Sequence, residues 1–384
     1  MKIGIDVPIF GSAHNDKGGV YHYIFYLLQG LKEIDRENTY KIWFHFFRHS
    51  NISRYKEVCD LLNLNGKDNF KVIRSCIPNY RGWFLRLPVE VFIGSVDIFH
   101  GPAHFVMPTF SGKSIVTIHD VDFLKIPEYL NPEWVQYKEK YTRLSLKRAD
   151  VIITVSNYIK NEIIRYFGVP EEKIRVVYHG ASDHFTPLKD NTLINRVLER
   201  YGIKIPYILF VGTFHKNKNL IRLLEAFYQL KLSYSFPHRL VLAGGKGELN
   251  KDVIQRIAEL KIEKLVSLTG FVPIEDLPII YQGSALFVFP SLFEGFGIPV
   301  LEAMASGVPV IASNVCSLPE VVGEAGLLID PLNVDLLAET MYRVLSNKEL
   351  RDELIKKGFE RVKLFTWVKT VKETMAIYKE ACEK

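Results

Sequence analysis

Two doubly wound, parallel-sheet α/β domains facing each other across a cleft are what the sequence predicts. Three observations carry this. Short β-rich runs alternate with helix-length amphipathic segments along the whole chain, the pattern of parallel α/β layers. Many runs end in small or polar residues, among them Asp6, Gly101, Asp120, Ser156, Gly180, Gly212, Gly244 and Ser291, as strands do where an open parallel sheet meets its ligand. The length of 384 residues exceeds what one hydrophobic core usually supports.

Taken in order, the first series of strands reads KIGID, YKIWFHFF, FKVIR, VDIFHG, SIVTIHD, DVIITVS and KIRVVYHG, with helical patterns over 20–33 and 132–148. These make a domain of residues 1–186. The stretch 187–205, with its Pro, Asp, Asn and Lys, reads as a linker with one short helix. A second series follows over 206–364: YILFVG, RLVLAGG, LVSLTGF, ALFVFP, PVIAS and GLLID, with helical patterns over 219–230 and 334–345. In the last segment, 365–384, Trp367, Val371, Met375 and Tyr378 recur three to four apart, which predicts a helix.

Composition narrows the function classes. The chain is 48% hydrophobic and 24% charged, with a net charge of +6, ordinary for a folded soluble protein. That charge suits an anionic partner and is spread without a Lys/Arg block, so no nucleic-acid partner is expected. Cys59, Cys76, Cys316 and Cys382 lie far apart with no metal-ligand spacing, as reduced thiols of a cytoplasmic protein do. The opening MKIGIDVPIF reads as a strand rather than a secretory leader. No apolar run approaches the roughly 18 residues of a membrane span.

The stretch EGFGIPVLE, residues 294–302, is the most informative. It follows an apolar strand and leads through two glycines into a helix with Pro299 in its first turn. That geometry aims backbone N–H groups at an anion, and Gly295 and Gly297 let a ligand approach closely. Glu302 is expected in the first turn, where a neutral hydroxyl pair such as a ribose suits it better than a phosphate does. Glu294 lies in the loop, able to accept from other hydroxyls. Equally, Glu302 could serve only the helix dipole and Glu294 only solvent. In FVGTFHKNKNLIRLLEAF, residues 210–227, Lys216 and Lys218 stand where a phosphate could meet a helix start, or in a plain solvated loop. His119-Asp120 ends a strand, where a histidine can face a ligand or bond to a neighbour. Gly18-Gly19 precedes a helix as an anion-tolerant turn, without a dinucleotide fingerprint.

Glu294-Gly-Phe-Gly-Ile-Pro-Val-Leu-Glu302, followed by AMASGVPVIAS, resembles the E-x7-E signature of retaining GT-B glycosyltransferases of family GT4. The resemblance runs along nearly the whole chain, through GGVYHYIFYLLQGL, SIVTIHDVDFLKIPEYL, VGTFHKNKNLIRLLEAF and EVVGEAGLLIDP in the family's order. HDVDFLKIPEYL and RGWFLRLP look most like the mannosyltransferase branch that uses GDP-mannose. The resemblance implies a GT-B fold whose first domain binds the acceptor, with helix 365–384 packing back on that domain. It implies transfer of a hexose, mannose favoured, from a nucleotide sugar (GDP-mannose favoured, a UDP- or ADP-sugar otherwise) to a glycan or lipid-linked acceptor, with no cofactor and no metal.

It also implies roles. Glu294 would contact donor-sugar hydroxyls and Glu302 the ribose. Lys218 would neutralise the departing diphosphate, with Gly212, Thr213 and Lys216 beside it. Gly295, Phe296, Gly297, Ile298 and Leu301 would frame sugar and diphosphate at the helix start. Gly18 and Gly19 would close over the phosphates, His119 would touch the sugar near its 6-hydroxyl, and Phe271, Val272 and Leu277 would hold the base. Catalysis would rest on His119, Lys218 and Glu294. The chain departs from the family at Thr213 and Asn217, where relatives carry Arg; Lys216 or a residue of the first domain would supply that charge. No metal-binding Asp-x-Asp is expected where a cation would sit. The aromatic and basic segments 48–55 and 80–87 suit an acceptor, an anionic membrane surface at the inner face, or plain solvent. A two-domain sugar- or nucleotide-binding protein without transferase activity and a GT-B phosphorylase or sugar-nucleotide epimerase are the alternatives.

Overall fold

The computed structural model describes residues 1–7, 18–46, 69–76, 87–187, 191–234, 236–245 and 250–383. The expected acceptor segments 48–55 and 80–87 lie outside these residues but for Leu87. The chain divides into two compact units: residues 1–179 with 367–384, and residues 180–366.

Among the described residues, the first unit is built on seven parallel strands: β1 (Lys2–Asp6), β2 (Thr39–Phe46), β3 (Phe70–Cys76), β4 (Ile98–Gly101), β5 (Lys113–Ile118), β6 (Val151–Thr154) and β7 (Ile174–Val176), in the order β3-β2-β1-β4-β5-β6-β7. Its helices are α1 (Gly19–Ile34), α2 (Glu90–Ile93), α3 (Asp122–Lys125), α4 (Pro132–Arg148), α5 (Asn157–Phe167) and, at the chain's end, the helix Trp367–Glu383. The central strands are buried along their length, which explains why they read as continuous apolar runs rather than alternating ones. Local chemistry sets the helix ends. Asn131 caps α4 by accepting from the N–H groups of Glu133 and Trp134, with Pro132 behind it, and Ser156 caps α5.

The second unit begins at Gly180 and carries α6 (Asn191–Arg200), β8 (Tyr207–Val211), α7 (Leu220–Ser233), β9 (Arg239–Ala243), α8 (Asn250–Glu259), β10 (Val266–Gly270), α9 (Leu277–Gln282), β11 (Leu286–Phe289), α10 (Ile298–Ala305), β12 (Val310–Ser313), α11 (Leu318–Val322), β13 (Leu327–Ile329), α12 (Val334–Ser346) and α13 (Lys348–Val362). The first unit's last helix, Trp367–Glu383, is therefore α14. Strand order is β10-β9-β8-β11-β12-β13, all parallel. The winding reverses between β8 and β11, so the loops after these two strands diverge and open a crevice at their carboxyl ends. At that edge Gly244 (φ +145°) passes so close to β8 that a Cβ there would stand 2.0 Å from the Gly212 carbonyl oxygen. Only glycine fits.

Two expectations need correction. Residues 187–205 carry the one short helix expected of them, α6, but as part of the second unit rather than as a linker. Helix α6 buries Val197 and Leu198, and Arg200 and Tyr201 bind the Asp276 carboxylate ahead of α9 at 2.8 and 2.7 Å. A helix with an apolar face cannot remain in solvent. The crossing lies earlier, at Gly180, where Ala181 N–H donates to the Phe365 carbonyl of the returning segment at 3.1 Å.

Helix α14 is held in the first unit by a buried polar chain. The Tyr378 hydroxyl lies 2.7 Å from His100 Nδ1, His100 Nε2 lies 2.8 Å from Thr117 Oγ1, and that hydroxyl meets Tyr23 at 3.1 Å. His100 and Tyr378 are wholly buried, so removing one partner leaves the other unsatisfied. Tyr378→Phe is expected to cost about 1–3 kcal/mol. Urea denaturation of the purified variant measures this, and an unchanged midpoint would show that apolar packing alone seats the helix.

Candidate active site

The loops after β8 and β11 meet at the reversal point of the second sheet. After β8 the chain passes Gly212 and half-buried Thr213, makes a 3-10 turn over Lys216–Lys218, and enters α7 through Asn219. Asn219 adopts a left-handed conformation (φ 60°), which asparagine tolerates better than most residues. Its buried amide donates to the carbonyls of Pro290 (3.0 Å) and Pro331 (2.7 Å), while Arg222 donates to its oxygen at 2.9 Å. Asn217 adds a second tie. Its carbonyl accepts from Leu292 N–H at 2.7 Å, and its amide reaches the Phe293 carbonyl at 3.3 Å. These bonds lay one loop on the other.

That registration brings Lys218 Nζ to 2.6 Å from Glu294 Oε1, both side chains mostly covered (17% and 12% exposed). Lys218 also lies over the Phe289 ring at 5.5 Å. Lys216, by contrast, is exposed and has no ion pair among the described residues. Beyond Glu294, Ser317 Oγ lies within 3.0 Å of the Glu294 carbonyl and 2.9 Å of the Phe296 carbonyl, and this shapes the loop. Phe296 is buried edge-on against Phe365. Gly297 opens α10 with φ 108°, and a Cβ there would press to 2.7 Å from Leu318 Cδ2. No side chain caps the helix start. Ile298 is half-buried there and Leu301 fully buried.

Glu302 corrects the sequence reading in position and chemistry. Helix α10 begins at Ile298, so Glu302 stands past the first turn. It is buried, and its Oε2 accepts from the Tyr281 hydroxyl of α9 at 2.9 Å. Burial raises its carboxyl to about 7, opposed by the tyrosine hydrogen bond. It is therefore no helix-dipole charge on the surface. Of the expected base-holding group, Phe271 is 59% exposed, Val272 is buried, and Leu277 starts α9.

The remaining predicted residues lie in the first unit. Gly18 and Gly19 are exposed at the start of α1. His119 is buried, with Nε2 2.7 Å from the Pro102 carbonyl and Nδ1 3.3 Å from His179 Nε2. Both ring nitrogens are thus engaged inside the unit, and burial, then His104, holds the imidazole down at about 3, neutral. Next to it, Asp120-Val121-Asp122 is an Asp-x-Asp pair that sequence reading passed over. Lys138 of α4 puts its ammonium 2.8 Å from both carboxylates, so a built-in cation fills the position between them. Among the described residues, no three His, Cys, Asp or Glu side chains converge as a metal site. Asn219, Tyr281, Ser317 and Lys138 carry no motif of their own; they act through packing that spacing does not reveal.

Two known family models match the chain. The model "Glycosyltransferase Family 4" matches residues 17–184 and "Glycosyl transferases group 1" matches 199–361. O-antigen chain mannosyltransferase B of Escherichia coli is 37% identical over 284 residues, 73% of this chain and 74% of that protein. The chain belongs to glycosyltransferase family GT4. As a member of that family it is a glycosyltransferase. Among further relatives, an MMP alpha-(1->4)-mannosyltransferase of Mycolicibacterium hassiacum is 31% identical over 65% of this chain and 58% of its own length. A serotype-specific mannosyltransferase WbdA of E. coli matches at 28% over only 32% of its length. In fold, the chain is similar to a Rickettsia africae glycosyltransferase (TM-score 0.75, 19% identity, 99% and 98% of the two chains covered). It is also similar to Anabaena HepE, solved with UDP and glucose (TM-score 0.73, 16% identity, 99% and 100% covered). The fold of this family member is GT-B.

The Glu302 carboxyl makes stability depend on pH. Its proton is held to about 7 in the folded chain against an ordinary 4.5. Between those values the folded state binds more protons than the unfolded one, so stability falls as pH rises from about 4.5 to about 7. The loss is expected to be a few kcal/mol. Glu302→Gln, which keeps an acceptor for Tyr281, should flatten that slope in denaturant titrations run across the window; an unchanged slope would assign it to other groups.

Proposed function

We propose that the chain is a retaining, metal-independent hexosyltransferase that moves mannose from GDP-mannose to a glycan or lipid-linked acceptor. The carrying observation is the Lys218–Glu294 pair at 2.6 Å beside the glycine loop and uncapped start of α10. One cation for a leaving diphosphate and one carboxylate for sugar hydroxyls lie a hydrogen bond apart. Breaking the bond between C1 and phosphate leaves negative charge on the diphosphate and positive charge on the sugar. Lys218 and the backbone N–H groups at the helix start meet the first, a preorganised electrostatic strategy. Glu294 orients the sugar, and Glu302 binds the ribose diol. The Asp-x-Asp position already occupied by Lys138 supports metal independence. Mannose and the acceptor class are favoured by the mannosyltransferase relatives, and HepE with UDP and glucose keeps UDP-sugars in the panel. His119 enters this reading through the sequence resemblance alone. A cytoplasmic site of action, peripheral to the membrane, fits a lipid-linked acceptor, and no described helix is long and apolar enough to cross a bilayer.

Incubation with GDP-, UDP- and ADP-sugars, following nucleoside diphosphate release with and without EDTA, tests the reading. GDP-mannose should turn over fastest and EDTA should leave the rate unchanged. Release from no nucleotide sugar, with any glycan or lipid-linked acceptor offered, would sink the proposal. Within an active enzyme, Glu302→Ala should raise donor KM most, and Lys218→Ala should lower kcat by about 10²–10³-fold. Glu294→Ala should lower kcat while nucleoside diphosphate binds more tightly, because Lys218 is released to the phosphate. Full activity of Lys218→Ala would remove it from the mechanism.

A further inference from the structure

Tyr281 sits where it can govern the carboxylate assigned above to the ribose. It is wholly buried, its ring held by the edge of Phe185 at 5.6 Å and by Phe287 at 5.3 Å. Burial and the neighbouring carboxylate push its phenol well above the ordinary range, so the hydroxyl donates and Glu302 Oε2 accepts, at 2.9 Å. Glu302 Oε1 has no hydrogen-bond partner among the described residues. Charged groups on the surrounding elements are turned elsewhere. Asp276, ahead of α9, binds Arg200 and Tyr201. On α13, Arg361 donates to the carbonyls of Glu320 and Val321, Lys357 pairs with Glu353, and Glu360 pairs with Lys363. The Lys218 ammonium is on Glu294. Burial and this one hydrogen bond set the state of the carboxyl.

We propose that Tyr281 is a positioning residue for the nucleotide sugar: its hydrogen bond occupies one oxygen of Glu302, presents the other to a vicinal diol, and favours the anion that such a diol requires. The proposal rests on the reading of Glu302 as the ribose ligand. Without the hydroxyl, the carboxyl holds its proton to higher pH, and a protonated acid accepts from one hydroxyl where the anion accepts from two.

The experiment is Tyr281→Phe, with GDP-mannose affinity measured by calorimetry across the neutral range and the Glu302 carboxyl followed by carbon NMR in the free protein. For the native chain, Kd should rise about tenfold per pH unit below about 7. For the variant, the same fall should begin about one pH unit higher, with near-native affinity in alkali. An equal loss at every pH would make Tyr281 merely structural, and superimposable profiles would overturn the proposal. If the native chain binds no nucleotide sugar, the ribose reading fails, and the NMR midpoint decides the role of Tyr281 alone: unchanged in the variant, the role is gone. Should the variant not fold, 3-fluorotyrosine at 281, a stronger donor of nearly the same size, must move the midpoint downward.

Discussion

In the second unit the parallel sheet changes its direction of winding between β8 and β11, and Asn219 is tied across that point. Reversal makes adjacent loops diverge, which opens a crevice but leaves its walls without neighbouring strands to hold them. One amide supplies the missing restraint by donating to carbonyls that follow β11 and β13. Both carbonyls belong to prolines, Pro290 and Pro331, which end the runs and cannot donate in return. The cost of leaving two such acceptors unpaired, about 1–3 kcal/mol each, measures how firmly the loops are registered. Lys218 is the residue just before Asn219, so its reach to Glu294 follows from this registration.

The two glutamates of EGFGIPVLE then differ through their surroundings rather than their spacing. Glu294 lies in a loop whose backbone is shaped by Ser317 and whose carboxylate answers a lysine. Glu302 lies inside a helix that packs on α9 and has a phenol for a partner. Burial raises the second carboxyl and Tyr281 partly restores it. Two carboxylates of one short motif are in three dimensions one ion-paired and one hydrogen-bonded acceptor.

The fold was legible because buried parallel strands need no alternation. Each apolar run, from KIGID to GLLID, lies on one of the thirteen described strands. The helical pattern over 132–148 likewise begins at the first residue of α4, Pro132. What stayed hidden depended on contacts far apart in the chain. The stretch 187–205 looked like a linker because its polar residues outnumber the Val197 and Leu198 that dock it. The partner of Glu302 lies 21 residues earlier on another helix, and the partner of Asp120 lies 18 residues later. Neither separation, nor the 16 residues between Asp120 and His104, its other partner, is a local helical or strand period, so none leaves a pattern in the sequence. The Asp-x-Asp at 120–122 shows the converse: a metal-like spacing is present, but Lys138 fills the position between the carboxylates.

Lysines stand at the carboxyl ends of both sheets, and their pairing decides which of them can serve an anion. Lys138 is bound by two aspartates and lies 8% exposed. Drawing it onto a phosphate would leave two adjacent carboxylates without their cation, and Asp122 is already pushed up to about 6 by burial and by Asp120. Lys218 has a single carboxylate and is about twice as exposed. Under the proposed function, a diphosphate arriving there would replace one anion with another, so the ammonium need never stand bare in a low-dielectric site. The carboxylate it leaves would then be free to accept hydroxyls from the group attached to that same diphosphate. Under the proposed function, exchange of partners at Lys218 would therefore couple phosphate binding to sugar binding, and no comparable exchange is open to Lys138.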